Sequence, residues 1–162
     1  MREKIIIVDN FYDNPSHYSI NLSHSLKNKI KYNKCQTETI GKISQILSKN
    51  LELVHYNFEV ISKKNTNDKI YCHLESDWNA LIYLTLPIHS FGEFGVKFFL
   101  DNENNDKKIL GTTQIKNKQY TEYGCIPAKY NRLILFDSSM WFSFGSSVEN
   151  DILYENIILK QK

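Results

Sequence analysis

The hydrophobic period of this chain changes near residue 53, and that change constrains its fold more than any other feature. Ahead of it, Ile40, Ile43, Leu47 and Leu51 recur every three to four residues, which predicts an amphipathic helix over 37–49. Beyond it, Val54, Tyr56, Phe58 and Val60 alternate with His55, Asn57 and Glu59, the pattern of a half-buried strand. Strand-like segments follow at 70–75, 78–86, 94–100, 109–114, 132–136, 140–144 and 152–159. Turn chemistry separates them at 87–92, 101–108 and 145–151. Upstream, residues 4–8 read as a short buried strand. Asn14 then stands as an N-cap before Pro15 at the first helical position, which predicts a helix over 15–26. Two helices followed by many short strands give a mostly β chain of α+β class. The expected architecture is a sandwich or barrel over 53–160 carrying a helical layer over 14–50. With no internal repeat and no linker, residues 1–162 are expected to form one domain.

Composition narrows the function classes. Aromatics make up 13% of the chain, with 10 Tyr and 9 Phe, which suits β-structure and a packed core. The net charge is +2, from scattered lysines and two arginines, Arg2 and Arg132; no basic stripe marks a nucleic-acid partner. No apolar stretch approaches the roughly 20 residues of a membrane span, and the apolar run after Met1 is too short for a signal peptide. Cys35, Cys72 and Cys125 are odd in number, widely spaced and without a CxxC, so reduced thiols and a cytoplasmic location are expected. The remaining partners are a small molecule or a protein.

The stretch Tyr71-Cys72-His73-Leu74-Glu75-Ser76-Asp77-Trp78 carries the main candidate chemistry. On a strand, residues i and i+2 point the same way, so His73 and Glu75 are expected to project together. A His-x-carboxylate pair of that kind grips one metal, and a distant second His completes the facial triad of non-haem iron sites. Asp77 is a poor third ligand, because three alternating residues spread over about 13 Å. The other histidines read as surface residues: His17 and His24 share a helix face, and His55 lies on the polar side of its strand. Residues 119–129 read as an irregular loop, with Tyr120, Tyr123 and Tyr130 as candidates for an exposed aromatic patch.

Several segments, in order, resemble the 2-oxoglutarate/Fe(II)-dependent oxygenase superfamily, in particular its small prolyl-hydroxylase-like bacterial and phage members. They are Ile6-Ile7-Val8-Asp9-Asn10-Phe11-Tyr12-Asp13-Asn14-Pro15, the His73-Leu74-Glu75 triplet, Trp78-Asn79-Ala80-Leu81-Ile82-Tyr83-Leu84, Phe91-Gly92-Glu93-Phe94-Gly95-Val96, and Tyr130-Asn131-Arg132-Leu133-Ile134-Leu135-Phe136-Asp137. The resemblance covers nearly the whole chain. It implies a double-stranded β-helix (a jelly-roll, cupin-like barrel), with Fe(II) and 2-oxoglutarate as cofactors and His73 and Glu75 as metal ligands.

The departures from that family are equally specific. Phe142 stands where the family places its distal histidine, and the last histidine of the chain is His89. The arginine that grips the far carboxylate of 2-oxoglutarate is absent from 152–156. Tyr83 and Lys97 are the candidate cofactor-binding residues, with Lys97 as a stand-in for that arginine. Glu75 replaces the more usual Asp. Arg132 is expected to act structurally near the barrel end.

Three readings follow. The chain is a degenerate oxygenase-fold protein that binds a ligand or a protein; or an iron hydroxylase with a remodelled third ligand; or an unrelated jelly-roll module, carbohydrate- or protein-binding, of virion or phage type. The first two require Phe142 to face the same interior as His73.

Overall fold

A computed structural model describes residues 4–16, 29–61, 69–73, 75–85, 94–101, 113–114, 120–144 and 152–162. Among these the chain is mostly β, with one helix and two principal antiparallel sheets, as in a β-sandwich. The helix, α1, runs Lys29–Leu47, eight residues earlier than its apolar period predicts. The added turns hold three lysines and Gln36, good helix formers that do not continue the stripe of Ile40 and Ile43. The expected helix over 15–26 lies almost wholly outside the described residues.

Among the described residues ten strands follow the order β1 (Ile5–Val8), β2 (Leu51–Ile61), β3 (Lys69–Ile70), β4 (Trp78–Tyr83), β5 (Gly95–Asp101), β6 (Thr113–Gln114), β7 (Tyr120–Pro127), β8 (Leu133–Asp137), β9 (Trp141–Phe144) and β10 (Ile152–Gln161). The large sheet has the order β1-β8-β4-β10-β2, and the small one β7-β5-β9. Tyr71, just past β3, bridges to Phe142 of β9 through two backbone hydrogen bonds of 2.7 and 3.0 Å, which joins β3 and its partner β6 to the small sheet.

Alternation divides each strand of the large sheet between two cores. One face packs Ala80, Ile82, Leu133, Leu135, Ile157 and Leu159 against Ile43 of α1 and against Phe11 and Tyr12. The other face lies between the sheets and buries Leu81, Tyr83, Ile134, Phe136, Ile152 and Tyr154 against Phe94, Val96, Phe98 and Phe142. β4 carries six buried residues in a row because it is covered on both sides. At the head of β5, Gly95 is required by packing: a Cβ there would stand 2.2 Å from the Ile126 carbonyl oxygen on β7.

Two of the motif segments dock on one another. Asn131, with a left-handed φ of 58°, receives the Tyr12 backbone N–H on its Oδ1 at 2.9 Å and donates its Nδ2 to the Tyr12 carbonyl at 2.8 Å. Arg132 donates through Nε and Nη2 to the Asp9 carboxylate at 2.6 and 3.1 Å, and Lys129 adds a third contact at 2.8 Å. These cations hold the Asp9 carboxyl well below the usual range. Arg132 thus has the expected structural role, anchoring the opening segment to the start of β8.

Candidate ligand site between the sheets

His73 is set beside Phe142 by backbone hydrogen bonds rather than by a strand. The chain leaves β3 after Ile70, makes one bridge at Tyr71 and runs irregularly through Cys72 and His73 to a turn at Glu75. The His73 N–H donates to the Ser138 carbonyl at 2.9 Å, Ser138 N–H donates to the Asp77 carbonyl at 3.1 Å, and Ser76 Oγ donates to the His73 carbonyl at 3.2 Å. This lacing to the β8–β9 turn places the His73 imidazole 6.0 Å from the Phe142 ring, centroid to centroid. Phe142 faces the inter-sheet interior against Phe136 at 4.9 Å, Tyr71 at 5.6 Å and Phe144 at 5.9 Å. Burial, and then repulsion from His55, holds the His73 imidazole below its ordinary pKa and so neutral at pH 7.

The expected strand over 70–75 ends at Ile70, so the alternation that was to pair His73 with Glu75 does not operate. Glu75 is exposed in its turn. Lys97 is also away from the site. Its neighbours Val96 and Phe98 take the inner face of β5, so Lys97 takes the outer one, where it pairs with Glu122 at 3.0 Å. Tyr83 does face inward, fully buried, with its ring 6.1 Å from Phe94 and 6.4 Å from Tyr154; burial pushes its phenol upward.

Within the expected loop over 119–129, whose residue 119 lies outside the described residues, Tyr120–Pro127 form strand β7, paired with β5. Its polar composition belongs to a strand exposed at a sheet edge, which a loop reading mistakes for irregular structure. Tyr123 is exposed there, whereas Tyr120 packs on Trp141 with ring centroids 5.3 Å apart.

Sequence reasoning missed the polar residues of the inner face. The β2 row His55, Asn57 and Glu59, read as a polar strand face, points to the same side as Ile61, toward the small sheet. Glu59 accepts from Tyr154 Oη and from Asn156 Nδ2, the latter at 3.0 Å. Asn79 lies on the same face of β4, 1% exposed, and neither of its side-chain polar atoms has a hydrogen-bond partner among the described residues. The signal available was the alternation itself: in 152–159 the even positions Tyr154 and Asn156 share a side, as do 55, 57 and 59.

On the helix side of the large sheet a second polar group is enclosed. Glu155 is fully buried and accepts from Tyr12 Oη at 2.8 and 2.9 Å and from Tyr56 Oη at 3.0 Å, while Tyr12 Oη lies 2.6 Å from Thr39 Oγ1 on α1. Burial pushes the Glu155 carboxyl up to about 7 against the opposing pull of the two tyrosine hydrogen bonds.

Compared with known proteins, the chain matches no protein-family model and no curated protein. None of its described helices is long and apolar enough to cross a membrane.

Proposed function

We propose that this chain is a divergent member of the 2-oxoglutarate/Fe(II) oxygenase superfamily, built on a double-stranded β-helix, that binds its ligand between the sheets without oxidising it. The strand order supports this fold. Along the chain β2, β4, β8 and β10 enter the large sheet while β3, β5, β7 and β9 align in the small one, the interleaving a jelly roll requires.

The observation that carries the functional reading is the 6.0 Å approach of Phe142 to His73. Phe142 occupies the place where the resemblance calls for a second imidazole, and a phenyl ring has no donor atom for a metal. The residues present do not fit an iron triad: His73 and Glu75 supply two ligands at most, and Glu75 sits in an exposed turn. Nor do they fit the oxo-acid. Where a cation would hold its far carboxylate, β10 presents Tyr154, hydrogen-bonded to the carboxylate of Glu59.

The test is turnover. Purified chain incubated in air with Fe(II), ascorbate and 2-oxoglutarate is expected to form succinate no faster than a protein-free control. Succinate formation that depends on the chain and is lost in His73→Ala would overturn the reading in favour of an unconventional iron hydroxylase. The alternative of an unrelated jelly-roll binding module draws support from Tyr123, 44% exposed on edge strand β7 with its ring 6.3 Å from Phe98, and places binding at that sheet edge instead.

A further inference from the structure

We propose that the inner-face site recognises a cationic group, an ammonium or a guanidinium, through Glu59. The inference rests on the reading of the inter-sheet face as a binding site and names the chemistry that site accepts.

Glu59 is half-buried and opposite Tyr154 in the β2–β10 register. Tyr154 and Asn156 each donate to one of its oxygens, which fixes the plane of the carboxylate. No ion pair among the described residues involves Glu59. Two neutral donors leave about half of the carboxylate's lone-pair sites open, and a partly desolvated charge without a countercharge gains most from a cation.

The surroundings favour the same ligand. Tyr154 packs on Phe144 at 5.0 Å, and Phe144 on Tyr71 at 6.2 Å, so aromatic rings flank the Glu59 side of the sheet. The Glu59 charge also adds to the upward push that burial gives the Tyr71 phenol, which places that phenol within its field. A carboxylate with aromatic side chains beside it is a setting that can hold compact cations by charge and by cation–π attraction together. A dicarboxylate such as 2-oxoglutarate meets like charge there, so the site has inverted the preference of the scaffold it resembles.

The experiment titrates isotopically labelled full-length chain with n-butylammonium, with methylguanidinium and with 2-oxoglutarate, each followed by NMR chemical shifts at matched ionic strength. The expected result is saturable shifts at Tyr154, Asn156 and Tyr71 for at least one of the two cations, with Kd weakened at least tenfold in E59Q. Glu59→Asp, which keeps the charge, should retain part of the binding. Because Glu59→Gln nearly preserves shape, an unchanged amide spectrum elsewhere establishes that it is folded. Saturable binding of 2-oxoglutarate as tight as the better cation, or cation binding indifferent to E59Q, would overturn the inference, as would no saturable shift for either cation. These results leave the turnover test untouched: succinate formation strikes at the reading of a silent binding protein, whereas failed cation binding strikes only at the chemistry assigned to Glu59.

Discussion

The phenol of Tyr12 donates to both carboxylate oxygens of Glu155, at 2.8 and 2.9 Å, across 143 residues of sequence. Through Thr39, 2.6 Å from the same phenol, the contact ties the opening segment, helix α1 and the last strand into one unit. A carboxyl placed there resists ionisation, and this has a consequence for stability.

The Glu155 carboxyl is raised from 4.5 to about 7, chiefly by burial. A group whose pKa is raised on folding contributes stability that is complete below about 4.5 and lost as pH rises through about 7. The span corresponds to a loss of about 3 kcal/mol between pH 5 and pH 8. Tyr12 and Tyr56 are the titratable groups facing it, and Tyr12 is itself pushed upward, out of this window. His73 works in the opposite sense: its lowered pKa makes stability rise with pH through the range below 6.5. Urea unfolding of the chain and of Glu155→Gln at pH 5 and pH 8 separates the two, since E155Q removes only the first. The difference between the proteins should shift in favour of E155Q by about 3 kcal/mol on going to pH 8.

Asn131→Ala removes both side-chain hydrogen bonds to the Tyr12 backbone and leaves an alanine at a φ of 58°. Two lost hydrogen bonds with buried partners, together with left-handed strain, predict a loss of about 3–5 kcal/mol in urea unfolding. Asn131→Gly, free of the strain, should lose about 1 kcal/mol less.

Gly95→Ala brings a methyl group against the Ile126 carbonyl at a position where β5 and β7 are hydrogen-bonded partners. Backbone must move, and the expected cost is about 1–3 kcal/mol, seen as a lower Tm. Ala at Gly124, where an added Cβ meets nothing within 4 Å, is the matched control and should change Tm little.

The legible parts of this fold were those written in period. Alternation located β2, and short apolar runs bounded by turn residues located β4, β5, β8, β9 and β10, within a few residues, because each buries at least one face. The same signal failed at His73, whose N–H donates to the carbonyl of Ser138, remote in sequence, and is held in an irregular segment that composition cannot distinguish from a strand. It failed at β7 because an exposed edge strand has no apolar row to reveal it. The placement of Phe142 beside His73 was readable only through resemblance. Glu59 was visible as one of three alternating polar residues, but which side of the sheet they face is set by the register with β10.

The central claim is that Phe142 has taken the place of a metal-binding imidazole facing His73, and the substitution Phe142→His tests it most directly. Ring centroids about 6 Å apart suit two imidazoles sharing one metal at about 2.1 Å from each nitrogen. Anaerobic titration with Mn(II), followed by the EPR signal of the free ion, should show no saturable binding to the unaltered chain below millimolar metal. F142H should bind at least tenfold more tightly, and adding His73→Ala should abolish the gain. Equal binding by the unaltered chain and F142H, or a gain that survives loss of His73, would contradict the account.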